Sequence, residues 1–140
     1  MTAPFAMSEY NGRPRFSRPM IILVVEDEAL VNMNACEFLI EQEFTVFSAR
    51  DADEALSLME ELGGTVDLLF TDVNMPGAFD GFDLVRAARE KWPHIGILIT
   101  TGGRNPSDLP PDLQEFGPML AKPYSLEILG IMAAGIIGAD

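Results

Sequence analysis

The sequence predicts an α/β protein, an open sheet of five parallel strands with helices wound on both faces, and three observations carry that prediction. Five short apolar runs, rich in Val, Ile and Leu, recur between residues 20 and 121, as strands buried on both faces do. Each run is followed by a stretch with helical period or helix-start chemistry, the alternation that builds parallel sheets. The chain has 140 residues, 48% hydrophobic and 22% charged, which suits one globular domain with a real core. That composition excludes a multidomain enzyme and a wholly disordered chain.

Residues 1–19 contain three Pro and three Arg (Arg13, Arg15 and Arg18) without an apolar period, so they are expected to form a disordered arm ahead of a domain spanning 20–140. MIILVV (20–25) reads as the first strand, and a helical pattern runs from Glu28 to about Gln42. FTVFS (44–48) is the second strand. Asp51, with Glu54 three residues on, predicts a capping box opening a helix that the Gly63-Gly64 pair ends. VDLLFT (66–71) is the third strand, followed by an amphipathic helix from Asp80 to Trp92 that Pro93 stops. IGILIT (95–100) is the fourth. The Pro-rich stretch after it leaves room only for a short helix starting near Pro111. PMLA (118–121) is the fifth strand, and Ser125 caps a last helix to about Ile137.

Right-handed crossovers allow few topologies for such a chain, and the flavodoxin-like order 2-1-3-4-5 is the common one. Functional groups then collect at the carboxyl ends of the strands. Glu26-Asp27-Glu28 follows the first strand, Asp72 the third, Thr100-Thr101 closes the fourth and Lys122-Pro123 follows the fifth. Each has an ordinary explanation, since acidic residues favour a helix start and a lysine is readily solvated. Their convergence on neighbouring strands is the informative feature. Clustered carboxylates require a cation or raised pKa values, and oxygen ligands without His or Cys favour Mg²⁺. A carboxylate nucleophile, a hard metal ion, a lysine and a hydroxyl make an aspartyl-phosphate site.

The segments LVVEDE, TDVNMPGAFDG, ILITTGG and AKPY, in this order and spacing, resemble the receiver domain of two-component response regulators, from residue 20 to about 138. The resemblance implies that Asp72 is the phosphoacceptor, that Asp27 binds Mg²⁺ directly and that Glu26 acts largely through water. Asp72 and the backbone carbonyl of Asn74 complete the implied ligand set. Thr100 is implied to bond a phosphoryl oxygen, Lys122 to pair with the phosphoryl group, and the Lys122-Pro123 peptide to be cis. The implied partners are a sensor histidine kinase or a histidine phosphotransfer protein, with a downstream protein target.

Four features depart from the family pattern. The loop VNMPGAFDG is one residue longer than the common form, so Phe79 is expected to bulge outward. Thr101 replaces a small residue and is expected to hinder access to Asp72. Met119 stands where an aromatic switch residue is usual, with Tyr124 a substitute, and the segment 104–116 replaces a regular fourth helix. In these features the chain is similar to atypical single-domain receivers, without an output domain.

The competing readings are weaker on the same residues. A flavin binder needs a phosphate loop where Glu26-Asp27-Glu28 would repel phosphate. A phosphatase of the haloacid-dehalogenase type needs a second Asp where Asn74 stands. The serious alternative is a degenerate receiver that binds protein without phosphorylation.

Residues 20–140 carry six basic against 21 acidic side chains, a charge that disfavours nucleic acid and anionic lipid. No apolar run reaches the roughly 20 residues needed to span a bilayer, and the start of the chain lacks a secretory signal, so a cytoplasmic location is expected. Cys36, the single cysteine, lies at helical spacing with Ala29, Met33 and Ile40, which predicts a buried core thiol. Met59, Met75 and the other methionines read as core, and His94 as a surface residue. The nearly all-apolar last helix predicts a face left for a second protomer or another partner.

Overall fold

The computed structural model describes residues 9–10, 13–14, 18–75, 77–102, 109–114 and 119–138. Glu9–Tyr10 pairs antiparallel with Arg13–Pro14, and the rest is a five-stranded parallel sheet. Its elements are β1 (Ile21–Val25), α1 (Ala29–Glu41), β2 (Thr45–Ala49), α2 (Ala52–Glu61), β3 (Leu68–Asp72), α3 (Gly81–Lys91), β4 (Gly96–Thr101), α4 (Pro111–Gln114), β5 (Met119–Ala121) and α5 (Leu126–Ile137). The strand order is 2-1-3-4-5, as expected, and α4 is a single turn. The Lys122-Pro123 peptide is cis.

Side chains of successive strand residues leave opposite faces of the sheet, and the core divides accordingly. Ile22, Val24, Leu68, Phe70, Leu98 and Leu120 pack under α1 and α5 against Ala35, Leu39, Leu129 and Ala133. Leu23, Val25, Leu69, Ile97 and Ile99 pack on the other face against Ala55 and Met59 of α2, Leu84 and Ala88 of α3, and Leu113 of α4. Met75 also lies in this second layer, so Met59 and Met75 are core as expected, whereas Met33 is exposed. His94 is exposed and bonds the Gly64 carbonyl.

Helix starts follow local chemistry. Asp51 accepts from the Glu54 amide, but the Glu54 carboxylate accepts from Arg50 rather than from Asp51, so the expected capping box is half formed. The reciprocal box is instead at Asp80 and Asp83, each side chain accepting the other's amide at 3.0 Å. Ser125 caps α5 through the Ile128 amide.

Two further expectations are corrected. The stripe Ala29, Met33, Cys36 and Ile40 does not face the core: Cys36 is half-buried and the other three are exposed. α1 turns Asn32, Ala35 and Leu39 inward. Asn32 tolerates burial because its Nδ2 donates to the carbonyls of Glu26 and Ala49, tying the helix to two strand ends. Phe79 does not bulge outward either; its ring is partly buried against the second core layer, where apolar contact outweighs the extra loop length.

Candidate functional site

The sheet's two-residue alternation brings the site together. Val24, Phe70, Leu98 and Leu120 face the α1–α5 layer, and two residues further along each strand stand Glu26, Asp72, Thr100 and Lys122. Beyond the apolar core, the same face thus carries polar chemistry at the carboxyl ends. β3 runs on through Asp72, which is in register with Thr100. The acid is therefore fixed on the ladder rather than on the loop after it.

Asp72 is 2% exposed. Its Oδ2 accepts from Lys122 Nζ at 2.8 Å and its Oδ1 from the Asn74 amide at 2.9 Å. Lys122 Nζ also lies 2.7 Å from Glu26 Oε1 and 3.2 Å from Glu28 Oε1. Ligand oxygens of Glu26, Asp27 and Asp72 all lie within 4.8 Å of one another. One ammonium thus pairs with three carboxylates, with Asp27 a fourth beside two of them, and Coulomb repulsion among the acids favours a divalent cation. The all-oxygen donor set fits a hard ion such as Mg²⁺.

Burial pushes the Glu26 carboxyl up from its ordinary value, against the hydrogen bonds from Lys122 and the Glu28 amide, and the neighbouring charge of Asp72 adds to the rise. For Lys122, burial alone would lower the ammonium's pKa. The hydrogen bonds to Asp72 and Glu26 outweigh it and hold the group firmly charged. Among the described residues, Thr100 Oγ1 is buried without a hydrogen-bond partner, a state that costs about 1–3 kcal/mol unless something else supplies the bond.

Residues beyond the expected ligand and phosphoryl-binding set also shape the site. Glu28 is the N-cap of α1, yet its carboxylate makes no cap bond and reaches Lys122 instead. Gly81 opens α3 so close to β3 that a Cβ there would lie 2.2 Å from the Asp72 carbonyl oxygen. The glycine therefore permits the helix to abut the acid's own backbone. Thr101, buried beside the site, accepts from Asn74 Nδ2 at 2.7 Å. Tyr124 stacks edge-on against Phe70 at 5.7 Å; burial and then the charge of Glu26 push its phenol up to about 12. A cleft of about 450 Å³ opens beside Lys122, lined also by Glu28, Val31, Asn34, Tyr124 and Leu126.

A doubly wound sheet with a buried strand-end aspartate, a lysine partner and an acidic cluster defines a class of α/β proteins that gather charged groups at the carboxyl ends of their strands. Residues 22–129 match the response regulator receiver domain family, and the chain belongs to it. It is 40% identical over 111 residues to the sensor kinase CckA of Brucella abortus, a match covering 77% of this chain and 11% of that protein. It is 32% identical over 114 residues to the transcriptional regulatory protein PdtaR of Mycobacterium tuberculosis, covering 79% of this chain and 53% of that one. Among solved structures, the receiver domain of the hybrid histidine kinase CckA superposes with a TM-score of 0.69 at 32% identity, covering 84% of this chain and 98% of that chain. A receiver domain protein from Clostridium thermocellum gives 0.77 at 26% identity, covering 86% and 95%. The chain thus spans between about a tenth and about half of these two curated relatives.

Proposed function

We propose that residues 20–140, preceded by an arm of residues 1–19, accept a phosphoryl group on Asp72 in a phosphorelay, from a phosphohistidine on a sensor histidine kinase or a histidine phosphotransfer protein. The observation that carries this reading is the convergence on one buried carboxylate of a lysine at 2.8 Å and two further acids within 4.8 Å. In the transfer, a carboxylate oxygen of Asp72 attacks phosphorus, the P–N bond to the donor imidazole breaks, and the electron pair leaves with the imidazole nitrogen. Asp27, Asp72 and the Asn74 carbonyl would hold Mg²⁺, with Glu26 acting through water. When bound, the ion offsets charge on the phosphoryl oxygens.

The chain's own residues do the rest. Lys122, already charged and 2.8 Å from the nucleophile, pairs with the incoming phosphoryl group, and the Thr100 hydroxyl, without a partner among the described residues, donates to one of its oxygens. New bonds at Thr100 and Lys122 draw on β4 and β5, so the charge change at Asp72 is passed to the surface around residues 101–124. The likeness to part of a sensor kinase supports a place in kinase-driven transfer.

Output is proposed to run through protein contact. Leu30, Met33 and Ile40 of α1 and Ile128 and Ile131 of α5 are exposed apolar side chains on the helices of one layer, available to a downstream target or a second protomer. The acidic surface disfavours nucleic acid and membrane surfaces. No helix among the described residues is long and apolar enough to cross a membrane, which supports a cytoplasmic setting.

Intact-protein mass spectrometry after incubation with acetyl phosphate and Mg²⁺ tests the reading. The expected result is an acid-stable, hydroxylamine-labile gain of one phosphoryl mass that is absent without Mg²⁺ and in Asp72→Asn. No gain from acetyl phosphate or from a phosphohistidine donor would refute it in favour of a module that binds protein without phosphorylation.

A further inference from the structure

Asn74 is bonded in two directions at once. Its main-chain N–H donates to Asp72 Oδ1 at 2.9 Å, while its side-chain Nδ2 donates to Thr101 Oγ1 at 2.7 Å and to the Gly102 carbonyl at 3.3 Å. The last ladder pair between β3 and β4 is Asp72 with Thr100, and the Val73 amide still donates to the Thr100 carbonyl at 3.2 Å. The Asn74–Thr101 bond therefore extends the ladder by one side-chain rung, past the point where the backbone pairing ends. Thr101 is fully buried, so its hydroxyl sits on a fixed frame, whereas Asn74 is exposed and owes its position to these bonds.

The consequence falls on the nucleophile. A carboxylate turns about a broad, roughly two-fold torsion, and Asp72 is held by one bond on each oxygen: Lys122 on Oδ2 and the Asn74 amide on Oδ1. Releasing the second frees the carboxylate on one side and lets the loop carbonyl of Asn74 wander. We propose that Thr101 is a positioning residue: its hydroxyl clamps the Asn74 side chain, which fixes the amide on Asp72 and orients the acid and loop for metal and phosphoryl binding. This deepens the aspartyl-phosphate reading and rests on it. The extra bulk at position 101 then serves to hold the loop.

The test uses the full chain as wild type, Thr101→Val, Thr101→Ser, Asn74→Ala and the Thr101→Val/Asn74→Ala double variant. Valine keeps the shape and removes the acceptor, and serine keeps the acceptor. Two quantities are read: exchange of the Asn74 amide by NMR without metal, in the variants that keep Asn74, and the Mg²⁺ dissociation constant by calorimetry. Thr101→Val is expected to speed amide exchange and to weaken Mg²⁺ binding about two- to tenfold, the effect of one lost hydrogen bond. Thr101→Ser is expected to restore both. Asn74→Ala is expected to weaken Mg²⁺ binding by itself and to absorb the effect of Thr101→Val in the double variant. Unchanged exchange in Thr101→Val, or a full additional loss of Mg²⁺ affinity in the double variant, overturns the clamp. Failure of the wild type to bind Mg²⁺ while exchange still responds at Thr101→Val overturns the aspartyl-phosphate reading instead, and the functional role given to Thr101 with it.

Discussion

Two aspartates five residues apart bracket β3, and they live in opposite circumstances. Asp67, before the strand, accepts two bonds from Arg18 at 2.8 and 3.2 Å and one from the Ile21 amide at 2.8 Å. Its charge is matched and its oxygens are occupied, so it joins the segment before β1 to the start of β3. Asp72, at the other end, shares a single lysine with Glu26 and Glu28 and lies beside Asp27. Both acids are ion-paired. The difference is surplus: one end of the strand is electrically settled, the other carries more negative charge than its cation offsets. Imbalance in a partly buried cluster, rather than the presence of an ion pair, marks the end suited to take up a cation.

The contrast breaks most sharply by substitution. Asp72→Asn is expected to abolish phosphoryl uptake by mass spectrometry, whereas Asp67→Asn leaves it in place; uptake lost in both would erase the distinction. Next in size, Gly81→Ala is expected to cost about 1–3 kcal/mol in denaturant unfolding, because its methyl meets the backbone of Asp72 and Val73. Gly135→Ala, where a Cβ meets nothing within 4 Å, is expected to gain up to about 1 kcal/mol. Equal outcomes would show that the end near Asp72 is no more tightly built than the outside of α5.

A smaller effect is expected at the settled end. Asp67→Asn should lower the melting temperature slightly, and added salt should shrink the difference, since Arg18 is largely exposed. Smallest is a shift at Tyr124. Its phenol should titrate at about 12 by ultraviolet absorbance in Tyr10→Phe, and Glu26→Gln should bring it part of the way down. A phenol whose folded pKa exceeds its unfolded value of about 10 makes no difference to stability below that pH. As pH rises from there towards 12 the unfolded chain ionises first, and stability falls.

Much of this was legible in the sequence because burial on both faces writes strands as uninterrupted apolar runs, and polar residues directly after such runs stand out. Glu26, Asp27, Asp72, Thr100 and Lys122 were all visible that way, and the order of the sheet brought them together. What stayed hidden was whatever depends on a rotation or a partner. The buried stripe of α1 contains Asn32, a polar residue that hydropathy assigns to the surface, so the inferred stripe was turned toward Met33 and Cys36. The Asp80–Asp83 box uses a carboxylate one carbon shorter than the usual pattern. Glu28 could be seen as helix-start chemistry but not as a partner of Lys122, because that contact joins residues 94 positions apart. Gly81 carried a family motif without revealing that the backbone of Asp72 lies against it.

The shared alternation of core and site has a further consequence. Val24, Phe70, Leu98 and Leu120 fill one layer, and Glu26, Asp72, Thr100 and Lys122 follow each of them by two positions. A one-residue insertion or deletion inside any of these strands would swing its acid, hydroxyl or lysine to the opposite side, and would send an apolar side chain the wrong way at the same stroke. Such a chain would lose its core before it could present a faulty centre. Folding thus proofreads the alignment of the reactive groups, and what the cell accumulates in native form has already passed that inspection.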